Sequence, residues 1–280
     1  MPETPGAVPV NADIPAGTES LLTVSGIGKS FRIRGRGGRL QALDDVSMDI
    51  LPGETVAVVG ESGSGKSTLA RVVLRLLPPD EGAVTFQGTS IWGASGRPLT
   101  ATRLRMQPIF QDPGASFNPR RRIGAAMAQA LAAGGVDEEA MPDRIRELLR
   151  AVGLSSGSEM LERRPHQFSG GQRQRLAIAR ALAVEPTMLI ADEPLTGADV
   201  SVRGQILNLL RELQDSRGLA LMFITHDIAV ARAVSHRVVV MKDGRVVESG
   251  PTDRVLTEPV EEYTKRLLCA VPAVLLDPIT

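Results

Sequence analysis

The stretch GESGSGKST, residues 60–68, decides how the rest of the chain is interpreted. It follows an apolar run, TVAVV, that predicts a β-strand, and it precedes LARVVLRLL, which predicts a helix. Between a strand and a helix, the pattern G-x-x-x-x-G-K-[ST] is typical of a loop that binds phosphate, because its glycines let backbone amides turn toward one point. The predicted phosphate-binding residues are Gly60, Glu61, Ser62, Gly63, Ser64, Gly65, Lys66, Ser67 and Thr68.

Two side chains of this loop have predicted roles of their own. The Lys66 amine would reach the β- and γ-phosphates of a bound nucleotide, and the Ser67 hydroxyl would ligate Mg²⁺. Lys66 therefore counts as a catalytic residue as well as a binding one. ATP and Mg²⁺ are the cofactors that these residues predict.

A pair of acidic residues closes a later apolar strand, TMLIADEP. Asp192 and Glu193 stand at its carboxyl end, which is where ligands bind in open parallel sheets. One acid, Asp192, can hold the Mg²⁺, while Glu193, pointing the opposite way along the strand, accepts a proton from an attacking water. Acidic residues also end strands in solvated turns, so the phosphate loop is what favours the functional interpretation.

The histidine of FITHD, His226, also follows an apolar strand. At the same edge of a sheet its ring could hydrogen-bond a γ-phosphate oxygen, although a solvated strand-end histidine has the same setting. We interpret it as catalytic in view of the other motifs. His166 and His236 lack such a setting and are predicted to be structural or surface residues.

Composition limits the classes of protein to which the chain can belong. It has 280 residues, 42% of them hydrophobic, and its 32 basic and 32 acidic residues cancel, so no global field recruits nucleic acid or an anionic membrane. A single cysteine, Cys269, allows neither an internal disulfide nor an iron–sulfur cluster. Residues 1–20 resemble a flexible tail rather than a signal peptide, and no apolar run is long enough to cross a membrane.

The order of predicted elements indicates an α/β fold. Short β-rich runs extend to about residue 110, an all-helical insertion occupies about 113–168, and strand–helix alternation then resumes over a mostly parallel sheet. In the insertion, DEEAMPDRIRELLRAVGL predicts a helix that Asp137 caps and Gly153 ends. RVVVMKDGRVVESG predicts a hairpin that turns at Asp243 and Gly244. There is no internal repeat, which indicates one nucleotide-binding unit.

These motifs, in this order, resemble the nucleotide-binding subunit of ABC transporters over residues 21–272, with 273–280 as a C-terminal tail. GESGSGKST resembles the Walker A loop, FQDP the Q-loop with Gln111, FSGGQ the signature, LIADEP the Walker B strand and THD the switch histidine. The resemblance implies a P-loop NTPase (RecA-like) parallel sheet core, an N-terminal antiparallel β subdomain and the helical insertion.

The resemblance also implies roles for residues outside the phosphate loop. Two subunits would pair head to tail, so that the signature of one covers the ATP held by the other. Gln111 would sense the γ-phosphate and help to ligate Mg²⁺, and Phe31 in GKSF would stack on adenine. The signature residues that would bind nucleotide are Ser169, Gly170, Gly171 and Gln172.

Within that family, FQDPGASFNPR, SGGQRQRLAIARAL, DVSVRGQILNLL and YTKRLLCAVP resemble the ATPases of oligopeptide, dipeptide and nickel importers. This implies ATP-driven peptide uptake at the cytoplasmic face of the inner membrane, with two permeases, a second ATP-binding subunit, an extracytoplasmic binding protein and no nucleic acid. The helical segment would offer a groove to a permease helix. The chain departs from the family at TGAD, residues 196–199, where SALD is usual, at EEYT, residues 261–264, where HPYT is usual, and in lacking cluster-binding cysteines.

Other interpretations remain open on the sequence alone. The cargo could be nickel or a metal chelate, because the ATPase does not touch it. A soluble ABC ATPase of translation or DNA repair usually has two cassettes or a long coiled coil, and neither is present here. An accessory ATPase of phosphonate breakdown would associate with enzymes rather than permeases. An exporter cassette would commonly be fused to a membrane segment.

Overall fold

A computed structural model of the chain describes residues 19–33, 38–196 and 200–269. Almost all of the two predicted tails, and residues 197–199 of the TGAD segment, therefore lie outside the described residues. The chain divides into two compact units. The first comprises the residues up to 93 together with those from 225 onward, and the second comprises residues 94–224.

The order of strands and helices agrees with the sequence prediction: mostly strands come first, then a run of helices, and then strand–helix alternation. The strands are β1 (Leu22–Arg32), β2 (Arg39–Ile50), β3 (Thr55–Val59), β4 (Glu81–Phe86), β5 (Thr89–Ser90), β6 (Met106–Ile109), β7 (Met188–Asp192), β8 (Ala220–Thr225), β9 (Arg237–Lys242) and β10 (Arg245–Pro251). The helices are α1 (Lys66–Val73), α2 (Gly96–Arg105), α3 (Ile123–Ala133), α4 (Met141–Ala151), α5 (Ser158–Glu162), α6 (Gly170–Leu182), α7 (Val200–Arg217), α8 (Ile228–Val234), α9 (Thr252–Thr257) and α10 (Glu262–Cys269).

The first unit contains an antiparallel sheet of four strands in the order β2-β1-β4-β5. It agrees with the N-terminal antiparallel β subdomain expected from the sequence. In the same unit β3 pairs in parallel with β9, and β9 turns back antiparallel into β10. That turn is the predicted hairpin, with Asp243 at φ 47° and Gly244 at φ 81°.

The second unit contains β6, β7 and β8, which pair in parallel. All six residues of β8 are buried, as expected for a strand covered on both faces. The segment 113–168 contains only helices and 3₁₀ turns among its described residues, in agreement with the predicted insertion. Short 3₁₀ turns lie at Pro113–Ser116 and Pro165–Gln167.

One predicted helix boundary is wrong. Helix α4 begins at Met141 and its N-cap residue is Ala140, so Asp137 does not cap it. Asp137 lies one turn too early: its carbonyl accepts a hydrogen bond from the Ala140 amide in a separate turn that precedes the helix. The predicted end is confirmed, because Gly153 adopts φ 66° immediately after the helix, a conformation that favours glycine.

One buried apolar cluster of the first unit includes the strand that leads into the phosphate loop. Apolar residues of β3 and β9 form one cluster with residues of α8, α9 and α10. Its members are Ala57, Val59, Ile228, Ala231, Val238, Val240, Val255, Leu256, Tyr263 and Leu268. The strand that leads into the phosphate loop is thus packed against the C-terminal helix. Over the described ranges, every helix is too short or too polar to span a bilayer.

Candidate functional site

The phosphate loop has the backbone geometry that its glycines predict. Gly60, Gly63 and Gly65 have φ values of 148°, 86° and 107°. Residues that carry a Cβ rarely adopt these values. A Cβ at Gly60 would overlap the Met241 carbonyl, and one at Gly65 would lie 2.5 Å from the Ala42 carbonyl oxygen. Around Gly63 there is open space. The loop is therefore tightly held on its inner side and accessible on its outer side.

Lys66 is folded over this loop. Its side chain is buried, and its amine donates hydrogen bonds to the carbonyls of Gly60 and Glu61, each at 2.7 Å, and to the Ser64 hydroxyl at 3.2 Å. Helix α1 begins at Lys66, with Gly65 as an N-cap that makes no side-chain hydrogen bond and with no acidic residue in the first turn. The Lys66 amine and the amides of the helix start provide positive charge here, which favours an anion.

Two other elements of the first unit, the β9–β10 turn and α10, form hydrogen bonds with the backbone of the loop. The Gly244 amide, in the β9–β10 turn, donates to the Ser64 carbonyl at 3.0 Å. The Glu61 amide donates to the Tyr263 hydroxyl of α10 at 3.1 Å. Neither contact could be predicted from the sequence, because each joins segments about 180 to 200 residues apart.

The ring of Phe31, which is predicted to stack on adenine, is accessible to solvent. Phe31 is 40% exposed near the end of β1, opposite Leu40 of β2. The Lys29 amine lies 6.0 Å from the centre of its ring and 2.8 Å from Asp80 Oδ1. The hydrogen bond from Lys29, aided by those from Ser30, lowers the pKa of Asp80 to about 2. This charged network fixes the backbone before Phe31, and stacking on adenine remains a prediction.

His226, the predicted switch histidine, follows β8 and is exposed. Asp227, the next residue, accepts a hydrogen bond from the Val230 amide at 3.2 Å and so caps α8. His226 is thereby placed between a strand end and a helix start. Of the other histidines, His236 accepts a hydrogen bond from the Thr55 amide through Nδ1 at 3.0 Å, and His166 is exposed, in agreement with structural or surface roles.

In the second unit the two Walker B acids do not share the strand. Asp192 is the last residue of β7, but Glu193 lies beyond it with φ 47°. The expectation that the two side chains alternate along one strand is therefore wrong. The Glu193 amide donates to the Ile224 carbonyl of β8 at 3.0 Å, and this hydrogen bond holds the strained residue.

Glu193 and Gln111 are brought together within the second unit. Gln111 Nε2 donates to Glu193 Oε2 at 3.3 Å, and the Thr196 hydroxyl donates to the same oxygen at 2.9 Å. The sequence predicted a role for Gln111 but not for Thr196. These two hydrogen bonds fix the orientation of the Glu193 carboxylate within the second unit.

The signature residues open helix α6. Ser169 is its N-cap: Ser169 Oγ accepts from the Gln172 amide at 3.3 Å, and Gln172 Oε1 accepts from the Ser169 amide at 3.0 Å. This reciprocal capping box shapes the helix start. Gly170 has open space around it, whereas a Cβ at Gly171 would lie 2.6 Å from Val202 Cγ1. The two glycines thus differ: one faces outward and the other packs against α7.

Comparison with known proteins agrees with this set of motifs. The family model described as ABC transporter matches residues 43–196. A Brucella abortus protein named as a peptide import ATP-binding protein is 45% identical over 265 residues, which cover 91% of this chain and 78% of that protein. The chain belongs to the ABC transporter family. Within it, a glutathione import ATP-binding protein of Salmonella paratyphi A is 46% identical over 260 residues, covering 91% of this chain but 41% of that protein.

Solved structures support the same fold. The dimeric structure of an ATP-binding cassette in a post-hydrolysis state, bound to ADP and Pi, aligns with a TM-score of 0.72 at 29% identity, covering 82% of this chain and 98% of that one. A component of an ABC transporter complex from Clostridium perfringens aligns with a TM-score of 0.73 at 28% identity, covering 92% and 98%. The predicted P-loop NTPase fold is confirmed, and the protein is an ABC ATPase.

Proposed function

We propose that this ABC ATPase hydrolyses ATP to drive the uptake of peptides through partner permeases. The observation that carries the hydrolytic part is the Glu193 carboxylate, held by Gln111 and Thr196 in the second unit. The cargo is inferred from relatives that match 91% of the chain and are named for peptide or glutathione import. Glutathione is itself a tripeptide, so both names indicate the same class of cargo.

In the proposed reaction the phosphate loop binds the nucleotide through its amides and Lys66. Glu193 accepts a proton from a water that attacks the γ-phosphate in line, and His226 and Gln111 orient groups around that phosphate. Phe31 stacks on adenine, for which its 40% exposure leaves room. Lys66 offsets the negative charge that develops on the transferred phosphoryl group.

A magnesium ion fits the chemistry of the predicted ligands. Ser67, Asp192 and Gln111 offer hydroxyl, carboxylate and amide oxygens, which are the hard ligands that Mg²⁺ takes alongside nucleotide phosphates. Because Mg²⁺ is commonly bound through one or two protein side chains together with substrate phosphates and water, the nucleotide would complete the shell. When bound, the ion would neutralise phosphate charge.

The signature indicates a second ATP-binding subunit, identical or related. Ser169, Gly170, Gly171 and Gln172 form a capped helix start with one outward glycine, and we propose that they cover the nucleotide bound by the partner. ATP would then stabilise the closed dimer, and hydrolysis would remove that stabilisation. One structural neighbour of the chain is a dimeric ATP-binding cassette bound to ADP and Pi.

The surface for the permease is proposed to be a groove in the second unit. It is lined by residues of α2, β6, α3 and α6 and of the segment between Gln111 and α3, with a volume of about 320 Å³. Its lining includes Gln107, Phe117, Asn118, Arg121, Gln129 and Arg180. An amphipathic cytoplasmic helix of a permease would fit a groove of this mixed character. The protein would then lie peripherally at the cytoplasmic face of the inner membrane, with residues 21–272 as its nucleotide-binding domain and 113–168 as its helical insertion.

The proposal is tested by purifying the tagged chain from native membranes in mild detergent and identifying its partners by mass spectrometry. Two permeases and a second ATPase are expected, and the complex should take up labelled peptide. Recovery without any membrane protein would overturn the importer proposal. Uptake of nickel instead of peptide would show that the proposed cargo is wrong.

A matched pair of variants tests the groove. Ala133 and Ala132 are both exposed on α3, but only Ala133 lines the groove. Ala133→Arg should lose the permeases and keep nucleotide binding, whereas Ala132→Arg should keep both. If the two variants retain the permeases equally, the groove is not the docking surface.

A further inference from the structure

The segment EEYT, residues 261–264, differs from the family pattern, yet its tyrosine touches the phosphate loop. Tyr263 is 8% exposed, and its ring belongs to the apolar cluster that includes Ala57 and Val59 of β3. Its hydroxyl accepts the hydrogen bond of the Glu61 amide at 3.1 Å. The C-terminal helix α10 therefore contacts the second residue of the loop directly.

The position of Tyr263 is itself fixed. Glu248 of β10 is buried, and its two carboxylate oxygens accept hydrogen bonds from the amides of Val260, at 2.8 Å, and Glu261, at 3.2 Å, just before α10. The Lys242 amine lies 5.2 Å from the centre of the tyrosine ring. The start of the helix and the tyrosine ring are both constrained by these contacts. The Tyr263 hydroxyl is therefore kept in position to accept the hydrogen bond from the Glu61 amide.

The backbone of Glu61 forms hydrogen bonds through both its carbonyl and its amide. Its carbonyl accepts hydrogen bonds from the Lys66 amine at 2.7 Å and from the Ser64 amide at 3.2 Å. The Glu61 amide belongs to the preceding peptide, Gly60–Glu61, and donates to the Tyr263 hydroxyl. The carbonyl of that same peptide, the Gly60 carbonyl, accepts a hydrogen bond from the Lys66 amine at 2.7 Å. Tyr263 therefore acts on a peptide plane that helps to position Lys66.

We propose that Tyr263 is a positioning residue of the phosphate loop. Through this residue, helix α10 influences the affinity of the loop for nucleotide. Tyr263 holds the Gly60–Glu61 peptide so that the loop keeps its binding shape before ATP arrives. The proposal rests on the proposed binding of ATP by residues 60–68. Without the hydroxyl, the binding-competent shape is populated less, and the apparent Kd rises by the inverse of that population.

The main test is the Tyr263→Phe protein, which keeps the ring in the core and removes the hydroxyl. A fluorescent ATP analogue and competition by ATP give the Kd, and phosphate release gives KM and kcat. The loss of one hydrogen bond predicts a Kd and KM about three- to tenfold higher, with kcat at saturating ATP changed less than about twofold. An unchanged Kd and KM would overturn the proposal.

Leu268→Ala is the matched control, because Leu268 is a buried member of the same helix and cluster. It should lower Tm more than Tyr263→Phe does and leave the Kd unchanged below Tm. If instead both variants weaken nucleotide binding in proportion to their loss of Tm, Tyr263 has only a structural role.

A second variant removes the donor instead of the acceptor. Glu61→Pro lacks the amide proton, so adding Tyr263→Phe to it should not weaken ATP binding further. Additive losses in the double variant would contradict the proposed contact. A wild-type protein that fails to bind the ATP analogue at all would contradict the proposed function instead, so the two failures are distinguishable.

Discussion

Thr196→Val is the substitution whose effect on turnover follows most directly from the geometry of the second unit. The Thr196 hydroxyl donates a hydrogen bond to Glu193 Oε2 at 2.9 Å. Valine keeps the shape of the side chain but cannot donate. A hydrogen bond to a charged group contributes about 1.5–3 kcal/mol when it is buried. Because Thr196 is exposed and water can replace its hydroxyl, we expect a loss of about 1 kcal/mol, or about fivefold in kcat.

The assay is steady-state phosphate release by the purified chain or its complex, with ATP varied to separate kcat from KM. Thr196→Val should lower kcat about three- to tenfold with KM within about twofold, because Thr196 contacts the base and not the phosphate loop. Thr196→Ser restores the hydroxyl and should recover most of the rate. A valine variant with wild-type kcat, or a serine variant as slow as valine, would refute the reasoning.

Three further predictions concern separate parts of the chain. Ser169→Arg should leave the affinity for a fluorescent ATP analogue unchanged and abolish phosphate release; equal loss of both would contradict a role toward the partner's nucleotide. Gly171→Ala should lower the free energy of unfolding by about 1–3 kcal/mol in urea titrations, because its Cβ would lie 2.6 Å from Val202 Cγ1, and Val202→Ala should restore it. The pKa of Asp80 is lowered from 3.8 to about 2, so its contribution to stability is present above pH 4 and is lost as the pH falls toward 2. Asp80→Asn should therefore unfold at lower urea than wild type at pH 5, and the difference should shrink toward pH 2; a constant difference would contradict the linkage.

Local patterns predicted most of the fold. The strand before residue 60, the parallel strands of the second unit and the β9–β10 turn all follow from signals confined to a few neighbouring residues. The start of α4 was the exception. Asp137 is a good cap by type, but Pro142 sits in the first turn, where proline is favoured, and the helix begins beside it. The segment thus carries two competing helix-start signals, and the proline determines where the helix begins.

Contacts between distant segments were not predictable in this way. Tyr263 and Glu61 are separated by 202 positions, and Gln111 and Glu193 by 82. Each residue of the second pair was expected near the γ-phosphate, but their contact was not predicted, and Glu193 was expected on the strand rather than past it. Nothing in the local sequence of Tyr263 points to the phosphate loop, since such a contact depends on how β10 and α10 pack.

The central claim is that Glu193 is the base of an ATPase that closes on its nucleotide as a dimer. Glu193→Gln keeps the side-chain shape and removes the proton acceptor, so its phosphate release should fall by about 10²- to 10⁴-fold. The most direct measurement is the mass of this variant in solution with and without ATP, by size-exclusion chromatography with light scattering. The account predicts a monomer without ATP and a stable dimer with it. A Glu193→Gln protein that hydrolyses ATP at the wild-type rate, or stays monomeric with ATP bound, would contradict it.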